Sequence, residues 1–255
     1  MPYFYLYDTS LQDRSFTPQL IKLEGLLTDL GIQGRVGRLT LLKSVKDLVE
    51  TALRDGADTI VAVGNDITLS RLAGIVANKK NITLGFIPLG NGPHKLAKIL
   101  GIPIGLLACQ VLSSRMVENI SLGKAGNYYF LQSAVLHGQP LLSFDNNYNL
   151  HLNSPHTIKV CNLDWYHEAG GEVSNPQNNT LETIIRPLVK FHWWNKFFTP
   201  STLQPSLLPV KTLQLKAEVE ELILTLDNYQ TIKTPVIISI SPNKIRVIVG
   251  KQRLF

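Results

Sequence analysis

Cysteine is scarce in this chain: two among 255 residues, Cys109 and Cys161. Each lies in an apolar stretch, and the two fall in different expected domains. That argues against a disulfide scaffold and for a reducing compartment. Long hydrophobic runs are also missing, so no segment reads as a membrane span. The opening Met1-Pro2-Tyr3-Phe4-Tyr5-Leu6-Tyr7-Asp8 has no basic leader and meets an acid early. It reads as a first strand rather than a signal peptide, and the expected location is cytoplasmic. Basic residues are dispersed, with Lys79-Lys80 the longest run. The net charge of +6 favours anionic partners such as nucleotides, nucleic acid or acidic lipid surfaces, and with no basic block it is a weak signal. Histidines such as His151, His156 and His167 have no cysteine or carboxylate at metal-ligand spacing, which argues against zinc. Neither a Gly-x-Ser-x-Gly nor a catalytic-cysteine pattern is present. Internal repeats and low-complexity segments are lacking too.

What is there reads as a folded α/β chain. Apolar residues make up 44% and charged residues 17%, which excludes disorder, and the length suggests two domains. In the first half, strand and helix alternate. Residues 3–7 form an aromatic strand. Thr17 is read as a cap and Pro18 as the first helical residue, with Leu20, Leu23, Leu27 and Leu30 on one face and Gly31 as the stop. A strand near Val36–Leu41 follows. Ser44 and Asp47 resemble a capping box ahead of Val45, Leu48, Val49 and Leu53, and Gly56 ends that helix. Further strands are expected over 59–63 and 82–87. Leu69, Leu72, Ala73 and Val76 mark a third helix, and Asn91-Gly92-Pro93 opens a fourth. This alternation implies a parallel sheet flanked by helices.

The pattern changes near Val117. Strand-like pieces are expected at 128–133, 149–152, 157–163, 210–215, 221–226, 235–240 and 244–249. Turn signals separate them, among them Gly170-Gly171, Asn175-Pro176 and Ser241-Pro242-Asn243. One interruption, 181–198, reads as helical at first and then as strongly aromatic. The division is a Rossmann-like α/β domain over 1–118 and a mostly antiparallel β-sandwich domain over 119–255.

Two strand-to-helix turns carry the chemistry. In the first, Val63-Gly64-Asn65-Asp66-Ile67-Thr68, free amides at a helix start favour an anion, and glycine allows close approach. Asp66 is a candidate Mg²⁺ ligand. The second turn is Pro88-Leu89-Gly90-Asn91-Gly92. Both belong at the carboxyl ends of neighbouring parallel strands, where open α/β sheets bind ligands.

The stretch from Ile60 to Pro103 resembles the catalytic domain of diacylglycerol kinases and bacterial lipid kinases, a superfamily that includes sphingosine kinases and NAD kinases. The family's Gly-Gly-Asp-Gly-Thr corresponds to Gly64-Asn65-Asp66-Ile67-Thr68. Its Pro-x-Gly-Thr-Gly-Asn-Asp corresponds to Pro88-Leu89-Gly90-Asn91-Gly92, followed by Leu96-Ala97 and Leu100-Gly101-Ile102-Pro103. Ile120–Gly123 with Tyr129-Phe130, and Leu224–Asn228 with the strands over 238–250, resemble its second domain. The resemblance implies ATP- and Mg²⁺-dependent phosphoryl transfer to a lipid or lipid-like hydroxyl, in a cleft between the domains. It implies Asp66 at the metal and Gly64, Asn65, Thr68, Gly90, Asn91 and Gly92 at the nucleotide. Thr9 and Ser10 join that set because Asp8-Thr9-Ser10 stands where the family has Asn-Pro-x-Ser/Ala-Gly. The partners expected are a nucleotide and a lipid or lipid-like substrate, not nucleic acid.

The departures are chemical. The motif's later glycines are Asn65 and Ile67. The family's Asn-Asp pair falls on Pro93, His94 or Lys95. Ser121 replaces an acid, and the Asp-Gly-Glu that supplies the general base reads Asp227-Asn228-Tyr229. Asp227 and His94 are thus the remaining catalytic candidates beside Asp66, with Lys95 and Lys98 able to stabilise charge. The alternative function is a catalytically impaired family member acting as a nucleotide- or lipid-binding module.

Each site residue has a plainer reading. Gly64 and Gly90 can simply make tight turns. Asp66 and Thr68 can cap a helix, a role weighted equally with metal-nucleotide binding. Asn91 suits an N-cap, His94 and Lys95 a solvated first turn, and Asp227 a turn between strands. Lys190–Phe198 suits a membrane interface, or aromatics packed over the β domain. Open sheet edges would permit a homodimer.

Overall fold

The computed structural model describes residues 3–145, 147–165, 172–188, 206–217 and 220–255. The chain divides into two compact units, Met1–Leu122 with Pro242–Phe255, and Gly123–Ser241. The C-terminal tail thus groups with the first unit, a return that the composition change near Val117 does not signal. The Lys190–Phe198 aromatic stretch, His167 and Gly170-Gly171 lie outside the described residues.

In the first unit, β1 (Tyr3–Tyr7), β2 (Arg35–Arg38), β3 (Thr59–Gly64) and β4 (Thr83–Pro88) form a parallel sheet in the order β2-β1-β3-β4. Three of these strands, β1, β3 and β4, are buried throughout and need cover on both faces, whereas β2, at the edge, buries only Gly37. The cover comes from α1 (Thr17–Asp29), α2 (Val45–Arg54), α3 (Asp66–Val76), α4 (Lys95–Ile99) and α5 (Ala108–Ser114). Helix α2 shows how the sequence does it. Ser44 and Asp47 close a reciprocal capping box, and Val45, Leu48, Val49 and Ala52 are buried. Each such valine or leucine contributes about 1.5–3 kcal/mol.

Two helix starts differ from the sequence reading. Helix α1 begins at Thr17 itself, with Phe16 at the cap position and no side-chain cap bond. Asp13 instead caps a short 3-10 turn just before it. Helix α4 begins at Lys95 with His94 at the cap position, so Asn91 is not an N-cap.

The second unit is antiparallel. Strand β5 (Val117–Ala125) carries the chain into it, and β6 (Tyr128–Phe130) hairpins back. Next come β7 (Ser133–Gly138), β8 (Leu141–Phe144), β9 (Tyr148–Leu150), β10 (His156–Cys161), β11 (Leu181–Pro187), β12 (Ser206–Val210), β13 (Thr212–Lys216), β14 (Ile223–Leu226), β15 (Gln230–Lys233) and β16 (Val236–Ile248). One sheet runs β12-β11-β10-β7-β14-β15. The layer facing it contains β13, flanked by β8 and by the first half of β16. Alternating residues from both layers, among them Leu136, Val160, Leu224, Phe144, Leu213 and Ile238, share one core. The second half of β16 returns to the first unit and pairs in parallel with β4, Arg246 opposite Thr83.

Two expectations fail in this unit. Residues 181–187 form a strand, not a helix. Leu181, Ile184, Ile185 and Leu188 mimic helical spacing, but the β-branched run Thr183-Ile184-Ile185 suits a pleated, buried strand. Ser241-Pro242-Asn243 does not break the chain either, because β16 continues through it.

Both cysteines are free and buried. Burial pushes the Cys161 thiol up to about 12, with Asp164 and Glu182 adding to it and Lys159 and Arg186 opposing. Burial likewise pushes Cys109 up to about 11. Thiolates are the reactive form, so neither residue should react with a thiol reagent in the native protein, and both should react in denaturant. A disulfide-exchange colour assay in each condition checks this.

Candidate functional site at the ends of the parallel strands

The connection β1–α1–β2 runs to one side of β1, and β2–α2–β3 returns to the other. The order reverses between β1 and β3, which opens a crevice beyond their carboxyl ends. Three chain segments meet there. They are Asp8-Thr9-Ser10 after β1, Gly64-Asn65-Asp66 after β3, and Gly90–Lys95 after β4. The backbone ties them together through Asp8 N–H to Val63 C=O at 2.9 Å, Leu89 N–H to Gly64 C=O at 2.9 Å and Asp66 N–H to Pro93 C=O at 3.1 Å. Thus the sequence-selected residues Thr9, Ser10, Gly64, Asn65, Asp66, Thr68, Gly90, Asn91, Gly92 and His94 all lie in these turns of the first unit.

Asp66 is 1% exposed. Its carboxylate accepts the Lys95 amide at 2.7 Å and the Leu96 amide at 3.1 Å. It therefore caps α4 from another segment, doing for that helix what no local side chain does. Among the described residues there is no group of three or more His, Cys, Asp or Glu placed to hold a metal ion.

Asn65 is the N-cap of α3. Its Oδ1 accepts the Ile67 amide at 3.0 Å and the Thr68 amide at 3.3 Å. Its Nδ2 donates to Asn91 C=O at 3.0 Å, linking the two glycine turns. The helix-start amides that a phosphate would meet are thus already bonded within the chain.

Asp8 completes the arrangement, and the sequence reading did not select it. Its Oδ1 accepts the Ser10 amide at 2.8 Å and the Ser10 hydroxyl at 2.7 Å. Its Oδ2 accepts the Thr68 hydroxyl at 2.5 Å. Burial opposes the charged form, but the bonds from Thr68 and Ser10, with the Arg71 charge, outweigh it and hold the carboxyl below its ordinary value. The signal was present as Asp-Thr-Ser, an Asx-turn pattern at a strand end. Thr9 is exposed, and the bonds of this cluster run through Asp8, Ser10 and Thr68.

The glycines also serve the chain's own packing. A Cβ on Gly64 would lie 2.7 Å from Thr68 Oγ1 and 2.8 Å from Asp8 Cβ. On Gly90, at φ +89°, it would lie 2.8 Å from Leu11 Cδ2 and 3.3 Å from Ser10 Oγ. On Gly92, at φ +123°, it would lie 2.7 Å from Asn65 Nδ2. These close approaches go to protein atoms, in positions where a cradle for phosphate would leave room. Bonded within the chain in this way, the helix-start amides fit the phosphates of a Mg²⁺-nucleoside triphosphate poorly.

His94 is half-buried. Its Nε2 lies 3.2 Å from Gly90 C=O, which can only accept, so Nε2 carries the proton. The other ring nitrogen, Nδ1, is buried and without a hydrogen-bond partner.

Asp227 lies in the second unit, in the turn between β14 and β15. It is 1% exposed and sits at φ +47°. Its carboxylate accepts the amides of Leu131, Gln132 and Ser133 at 2.7, 2.8 and 3.0 Å. A carboxylate enclosed by three amides is well suited to holding the loop between β6 and β7.

Residues 13–125 match the family profile of the diacylglycerol kinase catalytic domain. No curated protein matches at the sequence level. Among solved structures, a diacylglycerol kinase from Bacillus anthracis is similar with a TM-score of 0.74 at 16% identity, covering 99% of this chain and 98% of that one. A putative diacylglycerol kinase from the same organism gives 0.77 at 15% identity, with 98% of each chain covered. An NAD kinase from Archaeoglobus fulgidus, solved with ATP, gives 0.64 at 15% identity, covering 100% of this chain and 96% of that one.

Two outcomes follow for the carboxylates. Asp66→Ala leaves the Lys95 and Leu96 amides without their acceptor. It should cost about 1–3 kcal/mol in urea unfolding. Unchanged stability would return Asp66 to the role of a metal ligand. Asp8 has a lowered folded pKa, so its contribution is full above the unfolded value, near 3.8, and is lost as pH falls through the lower folded value. Asp8→Asn should therefore lower stability at neutral pH by on the order of 1 kcal/mol and flatten the loss below pH about 4. Thermal unfolding across acid pH reads both effects. The chain thus carries the diacylglycerol kinase catalytic-domain signature over residues 13–125 and, along its whole length, the fold that diacylglycerol kinases share with NAD kinases.

Proposed function

We propose that this chain is a binding module built on the diacylglycerol kinase scaffold, directed at a lipid or lipid-like ligand, in which ATP- and Mg²⁺-dependent phosphoryl transfer is lost or strongly reduced. The observation that carries this reading is the filled phosphate position. Asn65 occupies the amides at the start of α3, and the Asp8 carboxylate stands beside them. Two like charges about 4 Å apart near a protein surface repel by roughly 4 kcal/mol. A nucleotide phosphate would have to displace an amide cap and sit against a carboxylate. Phosphoryl transfer also depends on metal-borne neutralisation and a group that orients the nucleophile. Asp66 and Asp227, the carboxylates expected for those tasks, each accept backbone amides instead.

The second reading keeps a lipid kinase with ATP as donor. The specific observation in its favour is His94, whose Nδ1 is an acceptor without a partner and could take a proton from an acceptor hydroxyl.

A thermal-shift titration with ATP, with and without Mg²⁺, separates the two. A live nucleotide site held at a hundred times its Kd would stabilise the protein by about 2.7 kcal/mol, a rise of roughly 5–10 °C. The binding-module reading expects no Mg²⁺-dependent rise and no phosphorylation of diacylglycerol in vesicles. It further expects the pair Asp8→Asn with Asn65→Gly to bind ATP better than the parent, since those changes free two amides and remove the charge. A Mg²⁺-dependent rise in the parent together with a phosphorylated lipid product would overturn it.

A further inference from the structure

The turn between β2 and α2 exposes two adjacent leucines. Leu41 is fully exposed and Leu42 is 93% exposed. Singly exposed leucines are ordinary on protein surfaces, but this pair is presented by a built turn. The Thr40 amide donates to Lys43 C=O at 3.3 Å and the Lys43 amide returns to Thr40 C=O at 3.4 Å. The Thr40 hydroxyl accepts the Leu42 and Lys43 amides at 3.3 and 3.1 Å. Both ends of the turn are anchored. On one side Leu39 is buried and its amide donates to Tyr7 C=O at 2.9 Å, while Gln12 Nε2 bonds Leu39 C=O. On the other side Val45 is buried behind the Ser44–Asp47 capping box. The leucines therefore project from a turn whose backbone is already ordered, which reduces the entropy lost on docking.

The surrounding charge selects the occupant. Between Arg38 and Lys46 the chain reads Arg-Leu-Thr-Leu-Leu-Lys-Ser-Val-Lys, three cations without an acid, and the acid that follows, Asp47, is engaged by the Ser44 amide and hydroxyl. Arg38, Lys43 and Lys46 are all exposed, and the net charge of the whole chain is +6. Two side chains are far too small a surface for a stable protein interface, which buries about 1,200–2,000 Å². Apolar tips flanked by cations match the boundary between anionic headgroups and acyl chains. Among the described residues no helix is long and apolar enough to cross a membrane, so the contact is peripheral.

We propose that Thr40–Lys43 is a membrane-docking turn, inserting Leu41 and Leu42 below the headgroups of an anionic bilayer while Arg38, Lys43 and Lys46 contact its phosphates. The proposal is independent of whether the kinase chemistry survives. Vesicle binding and the ATP titration can fail separately.

Co-sedimentation with phosphatidylcholine vesicles, with and without phosphatidylserine, tests it. The protein should pellet with the anionic vesicles at low salt and much less at high salt. Leu41→Ser with Leu42→Ser should lower the partition coefficient roughly tenfold or more. Lys43→Gln with Lys46→Gln should lower it about fivefold per lysine at low salt. All four positions are exposed, so circular dichroism and the melting temperature should stay at parental values and exclude misfolding. Equal partitioning of the double-serine variant, equal binding to neutral vesicles, or no binding by the parent would each overturn the proposal.

Discussion

The organisation of the crevice depends on one buried carboxylate. Asp66 begins α3, and its side chain reaches across to the first two amides of α4. Helix α4 has only five residues and no side-chain cap of its own. So short a helix cannot stand on its own propensity and needs its ends satisfied from outside. Once Asp66 supplies that, neighbouring contacts fall into place. Its own amide donates to Pro93 C=O, and Asn65 Nδ2 donates to Asn91 C=O. The two glycine turns become one cross-linked structure rather than two independent loops.

That cross-linking has a chemical consequence. A phosphate site at a helix start needs donors whose partners are weak or absent, so that an incoming anion gains more than it displaces. Glycine at the cap position leaves such donors available. Asparagine does not, because its side-chain oxygen is among the best helix caps. An asparagine at this position, as Asn65 is, therefore strengthens the helix start while engaging the donors that an anion would need. Asp8 acts in the same direction. Its negative charge is held by Thr68 and Ser10, groups that would otherwise be free to donate to a ligand.

Much of the framework was legible from the sequence for physical reasons. The capping box at Ser44 and Asp47, the stops at Gly31 and Gly56, and the alternation of buried strands with helical stripes are local signals, and each appears as read. The glycine turns were legible as turns. What was not legible was who fills them. Gly90 and Gly92 looked like room for a ligand, and the atoms that approach them come from Leu11, Ser10 and Asn65, some distant in sequence. The start of α4 was misjudged for the same reason, since Asn91 looked like a cap while the actual acceptor lies 29 residues earlier than Lys95. In the second unit, tertiary pairing overrode local spacing. Residues 181–187 have a helical repeat but insert between β10 and β12, where both backbone edges are paired. Pro242 falls inside β16, between the part that pairs with β13 and the part that pairs with β4, so the strand passes from one unit to the other through it.

Asp227 extends the lesson to the second unit. Three amides converge on it, and its left-handed backbone places the carboxylate toward the loop between β6 and β7. A group that must abstract a proton needs one oxygen directed at a substrate and a pKa near the working pH. Three amide donors engage both oxygens of Asp227, which turns them toward the loop rather than toward a substrate. Asp66 is engaged in the same way by two amides. Both carboxylates thus meet the requirements of loop and helix ends. The acceptor without a donor in the crevice is a histidine nitrogen, Nδ1 of His94.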